Sequence, residues 1–201
     1  MSKWFRYILF ASALVMSNGV GTWGQQNKID SLLTVLKTAK EDTNKVNALN
    51  ALGREIMYNN PDTSIILSRE ALMLSEKLSV SGNEAIAKAG KKGIASSFSN
   101  LGNYFGLKND YPEAINYYLK GLKIDEELKN NIGIAMRYNN IGFVYQSQGD
   151  YSKSLDYYFK ALKGLEELKV QNTEKTLINI GTVYCCISDY TKALTYYFKA
   201  L

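Results

Sequence analysis

The side chains able to carry chemistry are few. Histidine is absent from the 201 residues, which removes the commonest general base at neutral pH and the commonest metal ligand. The carboxylates stand mainly in runs, such as Asp125–Glu127 and Glu166-Glu167, beside lysines at the expected ends of helices. That is the pattern of a solvated face, not of an acid and a base converging on a substrate. No glycine-rich phosphate loop and no nucleophile elbow occurs. Cys185 and Cys186 are neighbours, with Cα atoms about 3.8 Å apart, below the usual disulfide range, and on a helix their side chains diverge. They read as small helix residues, either of which, if exposed, can link two chains. The sequence therefore predicts no enzyme, no metal site and no cofactor.

What remains is the chemistry of recognition. An asparagine recurs as Asn100, Asn140 and Asn179, each directly before a Leu-Gly or Ile-Gly pair. An amide offers both donor and acceptor, which suits an extended peptide backbone. Arg137 and Lys175 lie one turn earlier and are placed to meet a carboxylate, and Asn103 completes the candidate set. The competing reading, that these asparagines are merely tolerated on a helix surface, stays open, because repeated units share residues by descent as well as by use. The pairs Tyr117/Tyr118, Tyr157/Tyr158 and Tyr196/Tyr197 suggest an aromatic platform. Helical geometry puts the second of each pair on a core stripe and the first, 100° around, at a repeat boundary, so core packing is expected instead.

These residues belong to a unit written three times. NDYPEAINYYLKGL (Asn109–Leu122), GDYSKSLDYYFKAL (Gly149–Leu162) and SDYTKALTYYFKAL (Ser188–Leu201) follow FSNLGNYF, YNNIGFVY and LINIGTVY, and their glycines Gly102, Gly142 and Gly181 are 40 and 39 apart. Internal periods of this size signal a solenoid. In the first half of a unit Tyr138, Ile141 and Tyr145 recur at helical spacing; in the second, Tyr151, Leu155, Tyr158 and Leu162 do so. Between the halves KND, QGD or ISD breaks the helix, and Asp110, Asp150 and Asp189 are placed to cap the second one, with Glu113 completing a capping box. Each unit is thus predicted to be an antiparallel helix pair. A mid-helix glycine costs about 0.5–1 kcal/mol, so three at equivalent places imply close helix approach, with Ala114, Ser154 and Ala193 as the opposing small residues.

The order Leu/Ile-Gly, then Tyr/Phe, Asp-Tyr, Ala, Tyr and Ala resembles the tetratricopeptide repeat, whose usual period is about 34 residues. The match covers Ile94–Leu201 and is weaker over Val46–Leu78, where Leu52-Gly53 and Ala71 stand one residue closer together. SVSGNEAIAKAGKKG between those parts reads as either a lengthened helix or an inserted turn. The resemblance implies an all-α, tetratricopeptide-repeat α-solenoid, a right-handed superhelix whose first helices line a groove for a peptide or partner helix. In the family's two-carboxylate clamp a lysine precedes the asparagine; here Ser99 holds that place, so this clamp is not expected.

Lys3 and Arg6 precede the apolar run YILFASALVM and the small-residue stretch SNGVGTWGQQ, the layout of a signal peptide with cleavage after Gly24. The expected organisation is a signal peptide at 1–24, a capping helix within 25–43, a degenerate first repeat with an insertion at 44–93, and repeats at 94–133, 134–172 and 173–201. Export to the periplasm or cell envelope follows, with a membrane attachment only if the leader is uncleaved or a longer parent protein is anchored. Of the 24 basic residues, two are Lys3 and Arg6; the other 22 face 19 acidic ones, too even a balance for nucleic-acid binding. The leading expectation is a non-catalytic scaffold for a protein or peptide partner. The alternative is the N-terminal sensory region of a bacterial signal-transduction protein of the sensor-kinase type, which the leader and long-period repeats also resemble. The third copy has no KIDEELK-like continuation, so its end is expected either to be cut from a longer protein or to pair with another chain.

Overall fold

A computed structural model describes residues 23–169 and 173–201, and among these all regular structure is helical. The helices fall into two compact units that divide between Lys108 and Asn109. The first holds α1 (Trp23–Thr38), α2 (Thr43–Ile56), α3 (Pro61–Ser79) and α4 (Glu84–Leu107). The second holds α5 (Tyr111–Glu127), α6 (Asn131–Ser147), α7 (Tyr151–Glu167), α8 (Glu174–Cys186) and α9 (Tyr190–Lys199). The expected signal segment lies outside the described residues except for its last two, which open α1. No described helix is long and apolar enough to cross a membrane.

Helix starts follow the sequence closely. Asp110, Asp150 and Asp189 each accept a hydrogen bond from the backbone N–H three residues on, at 3.3, 3.1 and 3.1 Å. Asp42, Asn60, Asn83 and Asn130 cap α2, α3, α4 and α6 in the same manner. The capping box at Asp110 is only half formed, since Glu113 turns its carboxylate to Asn116 Nδ2 at 3.1 Å. Immediately before each capping aspartate, Asn109, Gly149 and Ser188 adopt positive φ. This left-handed residue closes the preceding helix, which is why KND, QGD and ISD break it.

In the first unit, Ile29, Leu33 and Leu36 of α1 close onto Leu49, Leu52 and Ile56 of α2 and Leu67 and Ala71 of α3. The stretch that read as a lengthened helix or a turn is both: a break over 80–83 that turns at Val80, then α4, 24 residues long. The boundary expected at 93/94 therefore falls inside α4. Its early turns lie tight on α3, because Gly90 and Gly93 present no side chain there: a Cβ on Gly90 would stand 2.5 Å from the Ser79 nitrogen.

In the second unit, Tyr158 and Leu162 of α7 share one apolar cluster with Leu177, Ile180 and Val183 of α8. The close approach expected at the repeated glycines is present, but its partner is different. A Cβ on Gly142 would come 2.8 Å from a Tyr158 ring carbon, and one on Gly181 would come 2.7 Å from the Tyr197 ring. These two glycines are thus matched to Tyr158 and Tyr197, the second tyrosines of their pairs, rather than to Ala193; the Ser154 carbonyl is a secondary contact, at 3.2 Å from a Gly142 Cβ. Tyr118 and Tyr158 are buried and Tyr197 half-buried, as the core-stripe reading required. Burial pushes the Tyr158 phenol well above its ordinary pKa, and its hydroxyl donates to Gln146 Oε1 at 2.8 Å.

Candidate functional site

The recurring asparagines do not all face outward. Asn100 is only 3 % exposed; its Nδ2 donates to the Asn50 carbonyl at 2.8 Å and lies 3.3 Å from Asn50 Oδ1, which also accepts from Ser97 Oγ at 3.0 Å. The second unit repeats the pattern. Asn139 Oδ1 accepts from Asn179 Nδ2 at 3.2 Å and from Thr176 Oγ1 at 3.3 Å. Asn50 and Asn139 each stand three residues before a glycine, and each binds the residues two and five before the glycine of the next first helix. The amides at 100 and 179 are therefore cross-links between neighbouring first helices: α2 to α4 and α6 to α8. Sequence reasoning passed over Asn50 and Asn139. Their signal was a serine or threonine one turn before the recurring asparagine, Ser97 and Thr176.

Arg137 does meet a carboxylate, but inside the protein. It is 5 % exposed, and its Nε lies 3.1 Å from Oδ2 of Asp125, itself 1 % exposed, as an ion pair rather than an aligned hydrogen bond. Burial lowers the guanidinium pKa and the Asp125 charge opposes that shift. Asp125 Oδ1 accepts from Asn130 Nδ2 at 2.7 Å, and Asn130 caps α6 through the Gly133 N–H at 3.2 Å. Any side chain at 133 would overlap both Asp125 and Asn130. The reading of Asp125 as part of a solvated face is thus wrong. Helix α6 bends back at the loop and carries Arg137 over the end of α5, so one member of the acidic run points inward. Of the remaining candidates, Asn140, Asn103 and Asn179 are half-buried and Lys175 is exposed.

The open face of the first helices is instead apolar in the second unit. On α6, Ile132, Met136 and Phe143 are exposed, the last two at 53 % and 57 %, while Ala135, Ile141 and Val144 fill the core side. Met136 and Phe143 are seven residues apart and so share a face, with Asn140 beside them. Arg137 is the sole charged residue of α6, and it is buried. On α8 the neighbouring surface offers Ile178, Asn179, Thr182 and Cys186. In the first unit the equivalent face is more polar. An open cleft of about 670 Å³ there is lined by Leu32, Val35, Lys40, Asn44, Asn47 and Ala51, with Asn47 at the position Met136 holds.

We expect Asn100→Ala to lower the stability of the first unit by about 0.5–1.5 kcal/mol, because the Asn50 carbonyl and Oδ1 lose a buried donor beyond the helix's own bonds. Asn140→Ala, which removes no hydrogen bond among the described residues, should shift it by less than about 0.5 kcal/mol. Thermal melts followed by circular dichroism separate the two; equal effects would show that the cross-link does not form.

The first tyrosine of each later pair stacks within its own repeat: Tyr157 on Tyr145 and Tyr196 on Tyr184, both with centroids 5.5 Å apart. Tyr196 also meets Phe159 of the preceding repeat at 6.0 Å, the boundary contact expected. Lys153 and Lys192 lie over Tyr145 and Tyr184 while pairing with the capping Asp150 and Asp189 at 2.7 and 2.9 Å. This arrangement clasps the hairpins and uses the rings structurally. Both cysteines are free; Cys185 Sγ accepts from Tyr197 at 3.7 Å and Cys186 is exposed.

Two family models described as "Tetratricopeptide repeat" match the chain, one over residues 133–201 and one over 95–128. Comparison with curated protein sequences finds no match. Among solved structures, the apo form of RapI superposes with a TM-score of 0.67 at 18% identity, covering 98% of this chain and 69% of that one. Aspartyl phosphate phosphatase F from Bacillus subtilis gives 0.71 at 17% identity, covering 88% of this chain and 47% of that one. A Rap protein complexed with Competence and Sporulation Factor gives 0.69 at 21% identity, with 89% and 49% covered. At such identities the likeness is one of fold, and this chain spans about half the length of the last two.

Proposed function

Because the chain belongs to the tetratricopeptide-repeat family, with the all-α solenoid fold of that family, we propose that it is a protein-interaction scaffold which holds a protein or peptide partner on the first helices of its second unit. One observation carries the reading: α6 exposes Ile132, Met136 and Phe143 along one strip, with no exposed charge among them. Contiguous apolar surface rimmed by polar groups marks interaction sites, and methionine adapts to varied ligand shapes. Asn140 flanks the patch and can pair with a partner's backbone, as can the Oδ1 of Asn179, whose Nδ2 is held by Asn139, while Lys175 stands ready for a carboxylate. The structural likeness to a Rap protein solved with Competence and Sporulation Factor supports a fold of this kind holding a partner. The basic head and the apolar run Tyr7–Met16 support an exported location for this scaffold.

Selection from a displayed random-peptide library against the full chain tests this. Peptides enriched on the wild type should be rich in apolar residues and should bind Phe143→Asp at least about tenfold more weakly, since a buried phenylalanine contributes roughly 1.5–3 kcal/mol. Peptides that bind Phe143→Asp and Met136→Asp as well as wild type would place the site elsewhere.

A further inference from the structure

Helix α3 differs from its counterparts on the side that faces away from the core. Six and thirteen residues after the capping Asp110 and Asp150 stand Asn116 and Lys123 on α5 and Asp156 and Lys163 on α7, all exposed. Polar residues are what a solvated helix face carries. At the same distances from the capping Asn60, α3 has Ile66 and Met73, and Val80 closes the helix seven residues further on. They are exposed at 41, 71 and 82 %. Residues seven apart line up along one side of a helix, and the buried Ser64, Leu67, Ser68, Ala71, Leu74 and Ser75 define the other. A second column runs beside the first: the exposed Asp62, Arg69 and Glu76, also seven apart, acidic, basic and acidic in turn. Among the described residues Arg69 and Glu76 have no ion-pair partner, and Asp62 reaches only Lys108, at 4.0 Å.

An apolar column at seven-residue spacing is what a second helix lying alongside engages, and charges beside such a seam choose the partner. We propose that the outer face of α3 docks a helix of a partner protein, one bearing apolar residues seven apart and, beside them, basic, acidic and basic residues in turn. Charge complementarity favours this occupant over those that the chain itself offers. A second copy laid on the strip in register brings like charges together in either direction, because acidic, basic, acidic reads the same both ways. Residues 1–22 contain no acidic group to meet Arg69. The strip lies wholly within the first unit, and the proposal does not rest on the α6 patch.

The probe is a fluorescent three-heptad peptide titrated into the full chain by anisotropy. It carries leucine at every seventh position and lysine, glutamate and lysine in turn four residues before each leucine. Saturable binding is expected, weakened about tenfold or more by Met73→Asp and unchanged by Phe143→Asp. Exchanging the peptide's charges for glutamate, lysine and glutamate should weaken it about fivefold or more. Met73 is exposed, and circular dichroism confirms that the variant keeps its helices. Absence of saturable binding, equal binding of the two peptides, wild-type affinity in Met73→Asp, or an equal loss in Phe143→Asp overturns the proposal. In the free chain, hydrogen peroxide should oxidise Met73 well before Met57, which is buried. Slow oxidation of Met73 would mean that the chain's own residues cover the strip, and this too overturns the proposal. So does a wild-type dimer in light scattering that Met73→Asp dissolves, which would assign the strip to a second copy.

Discussion

Arg137→Met is expected to destabilise the second unit by about 3–5 kcal/mol, since removing one member of a buried ion pair leaves the other charge without its counterion. Asp125 lies at 1 % exposure, so water cannot replace the lost guanidinium without opening the α5–α6 turn. Its bond from Asn130 Nδ2 at 2.7 Å remains, but a neutral amide offsets only part of a buried negative charge. The double variant Asp125→Leu/Arg137→Met should recover most of the loss, because well-packed apolar replacements of buried pairs are often neutral or stabilising. Urea melts followed by circular dichroism read both. A single variant within about 1 kcal/mol of wild type would mean that Asp125 is hydrated in solution.

Gly90→Ala should lower the stability of the first unit by about 1–2 kcal/mol, against the usual sign. In an open helix the change stabilises by roughly 0.5–1 kcal/mol, because glycine loses more backbone freedom on folding. At position 90 the new Cβ would stand 2.5 Å from the Ser79 nitrogen and 2.8 Å from the Leu78 carbonyl carbon, both backbone atoms that no rotamer change can move. Overpacking of this kind costs about 1–3 kcal/mol, so the clash outweighs the propensity gain. Gly106→Ala in the same helix is the control. Nothing lies within 4 Å of its Cβ position, and it should raise stability by about 0.5–1 kcal/mol. If both substitutions stabilise, α4 does not lie against α3 as described.

Sequence reading succeeded where the information is local. The aspartates at 110, 150 and 189 each bind an N–H three residues away, and the apolar stripes repeat every three to four residues, so a few neighbours suffice to fix a helix and its start. The core position of Tyr118 and Tyr158 was legible for the same reason. The candidate site was read less well. The polar residues that recur, Asn100, Asn140 and Asn179, stand out by their period, whereas the exposed apolar ones, Met136 and Phe143, do not recur and have no periodic signature.

The repeat, the helix pairs and the caps were thus determined by the sequence itself, because period and capping chemistry act within one or two turns. Which polar groups are enclosed was decided only by the tertiary structure. Asn100 finds its partner 50 residues away, and Arg137 and Asp125 lie on different helices whose packing alone removes them from water. An asparagine or an aspartate on a helix reads alike whether it faces solvent or a neighbouring helix, and the difference is set by the distant surface that closes over it.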